Sequence, residues 1–177
     1  MKLVLATQNP KKLKEMNEIL SHLGVEVVSE AELGVRIEVE ETGETFTDNA
    51  RLKATAVMQA TGLPAVEDDS GLCVDALNGG PGVYSARFGG EGLDDKGRYT
   101  LLLEMLRGQT DRAAHFHTSI VCAFPNGDEL VCEGECPGTI AFAPMGEGGF
   151  GYDPVFFVPE LRKTFGQLTA EEKASVS

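Results

Sequence analysis

Positive charge is scarce in this sequence. Its 177 residues carry 15 lysines and arginines against 28 aspartates and glutamates, a formal net charge of −13. Such a surface repels DNA, RNA and anionic membrane, so no nucleic acid and no membrane is expected as a partner. A small anion can still bind where the few bases converge. No apolar run approaches the length that spans a bilayer, and the N-terminal MKLVLATQNP lacks a signal-peptide pattern, so a cytoplasmic protein is the expectation. Cys73, Cys122, Cys132 and Cys136 form no Cys-x-x-Cys pair, and His22, His115 and His117 have no zinc-ligand spacing relative to them. Buried free thiols are expected instead, and His115 and His117, which alternate on a strand, read as structural. No Gly-x-x-x-x-Gly-Lys-Ser/Thr stretch exists, which excludes a P-loop nucleotide site. No internal repeat, low-complexity segment or linker interrupts the chain.

What is there is ordinary globular material, 42% apolar and 24% charged, most simply one domain over residues 1–177. Lys2 to Ala6 reads as a short buried strand. Leu13, Met16, Leu20 and Leu23 recur at helical spacing, with Gly24 as the stop, and Val25 to Val28 is a second strand. Ile37 and Val39 alternate with Glu38 and Glu40, which predicts a strand with both glutamates on one face. Thr45 to Asp48 fits a capping box, opening a helix that runs to about Thr61 and ends at Gly62. A further helix is expected over Asp95 to Leu106, with Tyr99, Leu102, Leu103 and Leu106 inward. Phe116 to Phe124 and Leu130 to Cys136 read as strands joined by a turn at Pro125–Asp128, and a final helix starts near Thr169. Interleaved helices and strands with one antiparallel pair predict an α/β fold with a mixed β-sheet.

Several segments break local rules. Glu67, Asp68 and Asp69, followed by Ser70 and Gly71, place three repelling acids after a short apolar run. Alone they are an acidic surface turn, or a seat for a divalent cation or a reacting proton. Asn9 can cap the first helix and Pro10 suits its first turn. Lys11 and Lys12 then put positive charge at the positive end of the helix dipole, and a bound anion would reverse that penalty. Lys53 falls within the apolar stripe of Phe46, Ala50 and Val57, where it either snorkels to water or reaches an anion. Glu40 and Glu41 are solvated acids, or Glu40 is a second metal carboxylate beside Asp69; magnesium needs only one or two. In Gly146–Pro154 the glycines permit close approach to a ligand, while Phe150 offers a flat face for a purine or a plug for the core.

Taken together these segments resemble the inosine/xanthosine triphosphate pyrophosphatase family of house-cleaning nucleotide hydrolases. The matching pieces are LATQNPKKLKE (5–15), EETGETFTDNARLKA (40–54), EDDSGLCVDALNGGPGVYSARFGG (67–90), GGFGYDPVFF (148–157) and LTAEEK (168–173), in order and at matching spacing from end to end. The resemblance implies an elongated, two-lobed α/β/α domain with the nucleotide cleft between the lobes, and a homodimer. It implies magnesium-dependent hydrolysis of dITP/ITP and XTP/dXTP to the monophosphate and pyrophosphate. Carried over by position, Thr7, Gln8, Asn9, Pro10, Lys11 and Lys12 form the phosphate loop. Glu40 and Asp69 are metal carboxylates, with Asp69 also the general base. Asp68 is an auxiliary acid, Ser70 a substrate contact, and Lys53 neutralises phosphate charge. Phe150 stacks on the base, Gly151, Tyr152 and Asp153 complete its pocket, and Lys173 approaches the purine oxygen. In this family the segment after Glu-Glu-Lys continues through a serine into a His-Arg pair that reads the 6-oxo group. This sequence stops at Ser177, where that pair should begin, so hydrolysis with looser base discrimination is the expectation. A pyrophosphatase for modified pyrimidine triphosphates and a nucleotide-binding sensor without turnover are the alternatives.

Overall fold

Leu3, Val4 and Leu5 are all buried and make the first strand, β1 (Lys2–Leu5). The computed structural model describes residues 1–6 and 10–176, excepting the side chains of Lys11 and Ala174. A helix, α1 (Pro10–Ser21), and a second strand, β2 (Glu26–Ser29), follow. β2 runs parallel to β1, with Leu3 opposite Val27 and Val4 opposite Val28. Parallel neighbours need a crossover connection, and α1 supplies it. The helix ends earlier than the spacing of leucines predicts. Leu23 lies beyond its last turn and is exposed, and Gly24 closes the turn at a φ of 72°. Val25 packs on the cluster of Leu3, Leu5 and Val27 together with Leu13, Met16 and Leu20, so Leu23 has no apolar surface left to cover.

The segment from Arg36 to Glu40 forms no strand. Its side chains still alternate, with Ile37 and Val39 half-buried and Arg36, Glu38 and Glu40 exposed. The period of two is real, but the Ile37 N–H donates to the Glu30 carboxylate at 3.2 Å rather than to a neighbouring strand. α2 (Phe46–Thr61) follows the sequence closely. The Thr45 hydroxyl accepts from the Asp48 N–H at 3.0 Å, and Gly62, at a φ of 70°, donates its N–H to the Met58 carbonyl at 2.8 Å. Phe46, Ala50, Ala54 and Val57 form its buried face.

β3 (Ala65–Val74) pairs in parallel with β1, Val4 opposite Ala65 and Leu5 opposite Val66. Alternate β1 residues serve opposite faces: Leu3 and Leu5 meet α1, whereas Val4 meets Val57 of α2. This central strand is therefore covered by a helix on each side, the arrangement that makes its sequence a continuous apolar run. β4 (Gly80–Pro81) pairs antiparallel with the end of β3. α3 (Asp95–Met105) is capped by Asp94, which accepts from the Gly97 N–H at 2.7 Å, and it buries Leu102.

β5 (Ala113–Ala123) and β6 (Glu129–Ile140) are hydrogen-bonded neighbours around the predicted turn, both longer than the sequence suggests. β7 (Phe156–Val158) pairs antiparallel with β6, β8 (Lys163–Thr164) with β7, and α4 (Ala170–Val176) closes the described chain. The result is the expected α/β fold with a mixed, eight-stranded sheet in the order β2-β1-β3-β5-β6-β7-β8, with β4 beside β3. The thiols are free, but only Cys73 and Cys136 are buried; Cys122 is half-buried and Cys132 is exposed.

The chain forms two compact units, Met1–Asp69 with Thr118–Glu133, and Ser70–His117 with Gly134–Ser177. The core of the second contains Leu72, Leu102, Leu106, Ile140, Val155 and Phe156. Burying each such side chain stabilises by about 1.5–3 kcal/mol. Phe116, Phe156 and Phe165 add ring contacts with centroids 4.6–5.5 Å apart. Among the described residues no helix is long and apolar enough to cross a membrane.

Candidate active site

In the first unit, β3 leaves the core at Val66 and runs straight into Glu67, Asp68 and Asp69. Two lysines meet these acids. Lys12, in the first turn of α1, lies 3.0 and 3.1 Å from the two carboxylate oxygens of Asp68. An ammonium there opposes the helix dipole, and Asp68 offsets that cost. Lys53 comes from α2. Its Nζ is 3.2 Å from Glu41 Oε1 and 3.8 Å from Asp69 Oδ1, and it donates to the Asp68 carbonyl at 3.4 Å. Lys12, Lys53, Glu30 and Glu67 line a cavity of about 250 Å3.

The electrostatics follow from burial. Burial alone would lower the Lys53 pKa, but Glu67, Glu41 and Asp69 together outweigh it and hold the ammonium charged. Glu67 is 3% exposed, and burial pushes its carboxyl up to about 8 against the pull of Lys53. Asp69 rises to about 6 for the same reason, again opposed by Lys53. One buried oxygen of Asp69, Oδ2, has no hydrogen-bond partner among the described residues. The buried Asn49 amide, also short of a standard partner, lies close enough to lower the Asp69 pKa, and a proton or cation would satisfy the oxygen further.

Glu41, rather than Glu40, is the glutamate at Lys53, while Glu40 is exposed. The loop carrying both is held by the Gly43 N–H, which donates to the Asn49 side chain at 2.8 Å. A Cβ at Gly43 would come within 2.6 Å of the Asp48 Cβ, so only glycine fits there. Glu41 is the member of this cluster that sequence reasoning reads as a solvated acid; Glu67 it singles out with Asp68 and Asp69 but gives no role of its own. The signal for Glu41 was its place directly after Glu40 on an alternating segment, where one of two neighbours turns inward.

The second unit holds the glycine-rich loop. Phe150 is 51% exposed and is no core plug. Its N–H donates to Asp153 Oδ2 at 3.0 Å, and Lys173 of α4 donates to that same oxygen at 2.8 Å. The Lys173 ammonium also stands 4.9 Å from the Phe150 ring centroid. Asp153 is thus the buried post that fixes both the aromatic ring and the lysine. Gly149 has a φ of 74°, and a Cβ there would clash with Asp153 Oδ2. The Gly151 N–H donates to Asp95 at 3.0 Å. Tyr152 is buried, its hydroxyl donating to the Ser85 carbonyl at 2.6 Å, and burial pushes its pKa to about 12. It is a neutral scaffold for the loop.

The structure therefore brings Lys12, Lys53, Asp68 and Asp69 together in the first unit, and Phe150, Asp153 and Lys173 together in the second. Ser70 is exposed, and Pro10 opens α1 as expected. Thr7, Gln8 and Asn9, and the side chain of Lys11, lie outside the described residues.

A parallel β2-β1-β3 core with three acids within β3 and a lysine from each covering helix is an α/β arrangement whose charges suit a phosphorylated small molecule. The chain belongs to the Ham1 family, whose model matches residues 3–177. It is 50% identical to the dITP/XTP pyrophosphatase of an Exiguobacterium species, over 100% of this chain and 90% of that one. It is 49% identical to the dITP/XTP pyrophosphatase of Escherichia coli O157:H7, over 99% and 91%. Among solved structures, a HAM1 protein from Coxiella burnetii superposes with a TM-score of 0.95 at 42% identity, covering 100% of this chain and 91% of that one. The Staphylococcus aureus Ham1 protein gives 0.93, also at 42% identity and the same coverage.

Proposed function

We propose that this chain hydrolyses deaminated purine nucleoside triphosphates, dITP/ITP and XTP/dXTP, to the monophosphate and pyrophosphate. The observation that carries the reading is the convergence of Lys12 and Lys53 on Asp68 and Asp69 beside a polar cavity, in a chain half identical to proteins of that activity. Hydrolysis forms one bond from water oxygen to the α-phosphorus and breaks the bond to the pyrophosphate oxygen. Asp69 accepts the water proton, and burial, which raises its pKa in the metal-free chain, makes it more basic than an ordinary aspartate. Lys12 and Lys53 neutralise charge on the phosphoryl oxygens and on the departing pyrophosphate.

The donors fit a hard divalent cation: the oxygens are carboxylates, and Asp69 Oδ2 is buried and unpartnered among the described residues. Asp69 and Glu40 would hold it, and Mg2+ is the ion we propose. When bound it supplies Lewis-acid stabilisation of phosphate charge. In the second unit, the exposed Phe150 face stacks on the base while Lys173, fixed by Asp153, offers a donor to a 6-oxo group. Ser70, Gly151 and the loop Thr7–Lys12 complete the substrate contacts. A homodimer is the proposed assembly, and the 82% exposed Phe142 is an apolar group that a subunit contact would cover.

The test is pyrophosphate release from dITP, XTP, dATP, dGTP, dUTP and dCTP, with magnesium and with EDTA. Magnesium-dependent release favouring dITP and XTP is expected, and Asp69→Asn should abolish turnover while sparing nucleotide binding. A pyrimidine preference, or binding without release by the unmutated chain, would overturn the proposal.

A further inference from the structure

We propose that His115, His117 and Glu135 form a second metal site, one that takes a borderline divalent cation of the zinc, cobalt and nickel class. His115 and His117 are alternate residues of β5, so both imidazoles point to one face of the strand. Glu135, on the neighbouring β6, reaches across that face. Its Oε1 lies 3.1 Å from His117 Nδ1 and 3.9 Å from His115 Nε2, and one ligand atom from each of the three lies within 4.8 Å of the others. All three belong to the second unit.

The chemistry distinguishes this cluster from the carboxylate centre. Magnesium takes oxygen donors, whereas two imidazoles and one carboxylate suit zinc, cobalt, nickel or copper(II). Zinc bonds of about 2.0–2.2 Å put neighbouring donors about 3.3–3.6 Å apart in a tetrahedron. Donors already within 4.8 Å need only small side-chain rotations to reach that spacing. Water reaches the cluster: His115 is 32% exposed, His117 19% and Glu135 59%. Water would complete the coordination. The net charge of −13 further raises the local concentration of cations. Coordination through His117 Nδ1 requires that imidazole to keep its proton on Nε2, so the cation replaces the hydrogen bond between His117 and Glu135.

The experiment is calorimetric titration of zinc into the full chain, in excess magnesium so that the catalytic carboxylates are held. About one equivalent should bind, and His115→Ala and Glu135→Gln should each weaken it by at least about tenfold. Glu135 is exposed, so its glutamine variant should keep the melting temperature of the unmutated chain, which separates lost binding from misfolding. Cobalt in place of zinc should give visible ligand-field bands without a thiolate charge-transfer band. Absence of zinc binding, a variant that binds zinc as tightly as the unmutated chain, or a thiolate band would each overturn the proposal.

Discussion

Glu41 holds the Lys53 ammonium at 3.2 Å, while the adjacent Glu40 is exposed and forms no ion pair with that lysine among the described residues. We propose separate duties for these neighbouring acids, and kinetics should separate them. Under our reading Glu40→Gln raises the magnesium concentration needed for half-maximal rate by about tenfold. Glu41→Gln leaves that requirement unchanged and lowers kcat, because Lys53 loses the partner that orients it. If instead Glu41→Gln moves the magnesium requirement and Glu40→Gln does not, the assignments exchange.

Removing Lys53 itself tests the charge argument. Lys53→Met keeps the aliphatic stem against α2 and removes the ammonium that faces Asp69, Glu41 and Glu67. A preorganised charge in such a site is worth about 2.7–4 kcal/mol in the transition state. kcat should therefore fall about 100- to 1000-fold at saturating magnesium. A loss of less than about fivefold would reduce Lys53 to a structural counter-ion.

Phe150 should act through binding rather than chemistry. Stacking a base on an aromatic ring contributes about 1–3 kcal/mol. Phe150→Ala is expected to raise KM for dITP by one to two orders of magnitude with little change in kcat, and Phe150→Trp should restore it. Because the ring is half-exposed, the alanine variant should keep its melting temperature, which circular dichroism would check.

Much of this could be read from the chain, and the exceptions share a cause. α2 was legible because its ends are written locally: Thr45 caps the first turn, and Gly62 supplies the left-handed stop. Lys53 was legible because a lysine interrupts an apolar stripe. Leu23 misled because helical spacing does not say where a chain must turn to make a parallel pairing. Ile37 to Glu40 misled because alternation of side chains does not provide a neighbouring strand, and here the Glu30 carboxylate takes the Ile37 N–H. The roles of Glu41 and Glu67 depend on which way an extended segment faces. That is set by Lys53 and the core, far away in sequence.

Gly149 carries a stability prediction. Its positive φ and the contact of any Cβ with Asp153 Oδ2 mean that Gly149→Ala must displace the residue that fixes Phe150 and Lys173. We expect a loss of about 1–3 kcal/mol in urea unfolding, together with a raised KM for dITP. Gly92, with open space around it and no positive φ, is the control. Gly92→Ala should be close to neutral, and equal effects at the two positions would remove the steric argument.

The last prediction concerns Glu67, whose pKa of about 8 stands well above the ordinary 4.5 because the side chain is buried. The sign follows from proton counting. Below about pH 4.5 the carboxyl is protonated both folded and unfolded, and its contribution to stability is fully present. Between 4.5 and 8 the unfolded chain releases that proton while the folded chain retains it, so rising pH favours unfolding. Above 8 both states are ionised, and the folded state carries the cost of a buried carboxylate beside two further acids. Each pKa unit corresponds to about 1.4 kcal/mol, so the loss across this window is on the order of a few kcal/mol. Glu67→Gln has no proton to lose and still offers an oxygen to the Asp68 N–H, which Glu67 Oε1 accepts at 3.0 Å. Measured in EDTA, the melting temperature of the variant should match the unmutated chain near pH 5 and exceed it increasingly toward pH 8. A constant difference across that range would mean that Glu67 does not hold its proton in the folded protein, and that Lys53 rather than burial governs its ionisation.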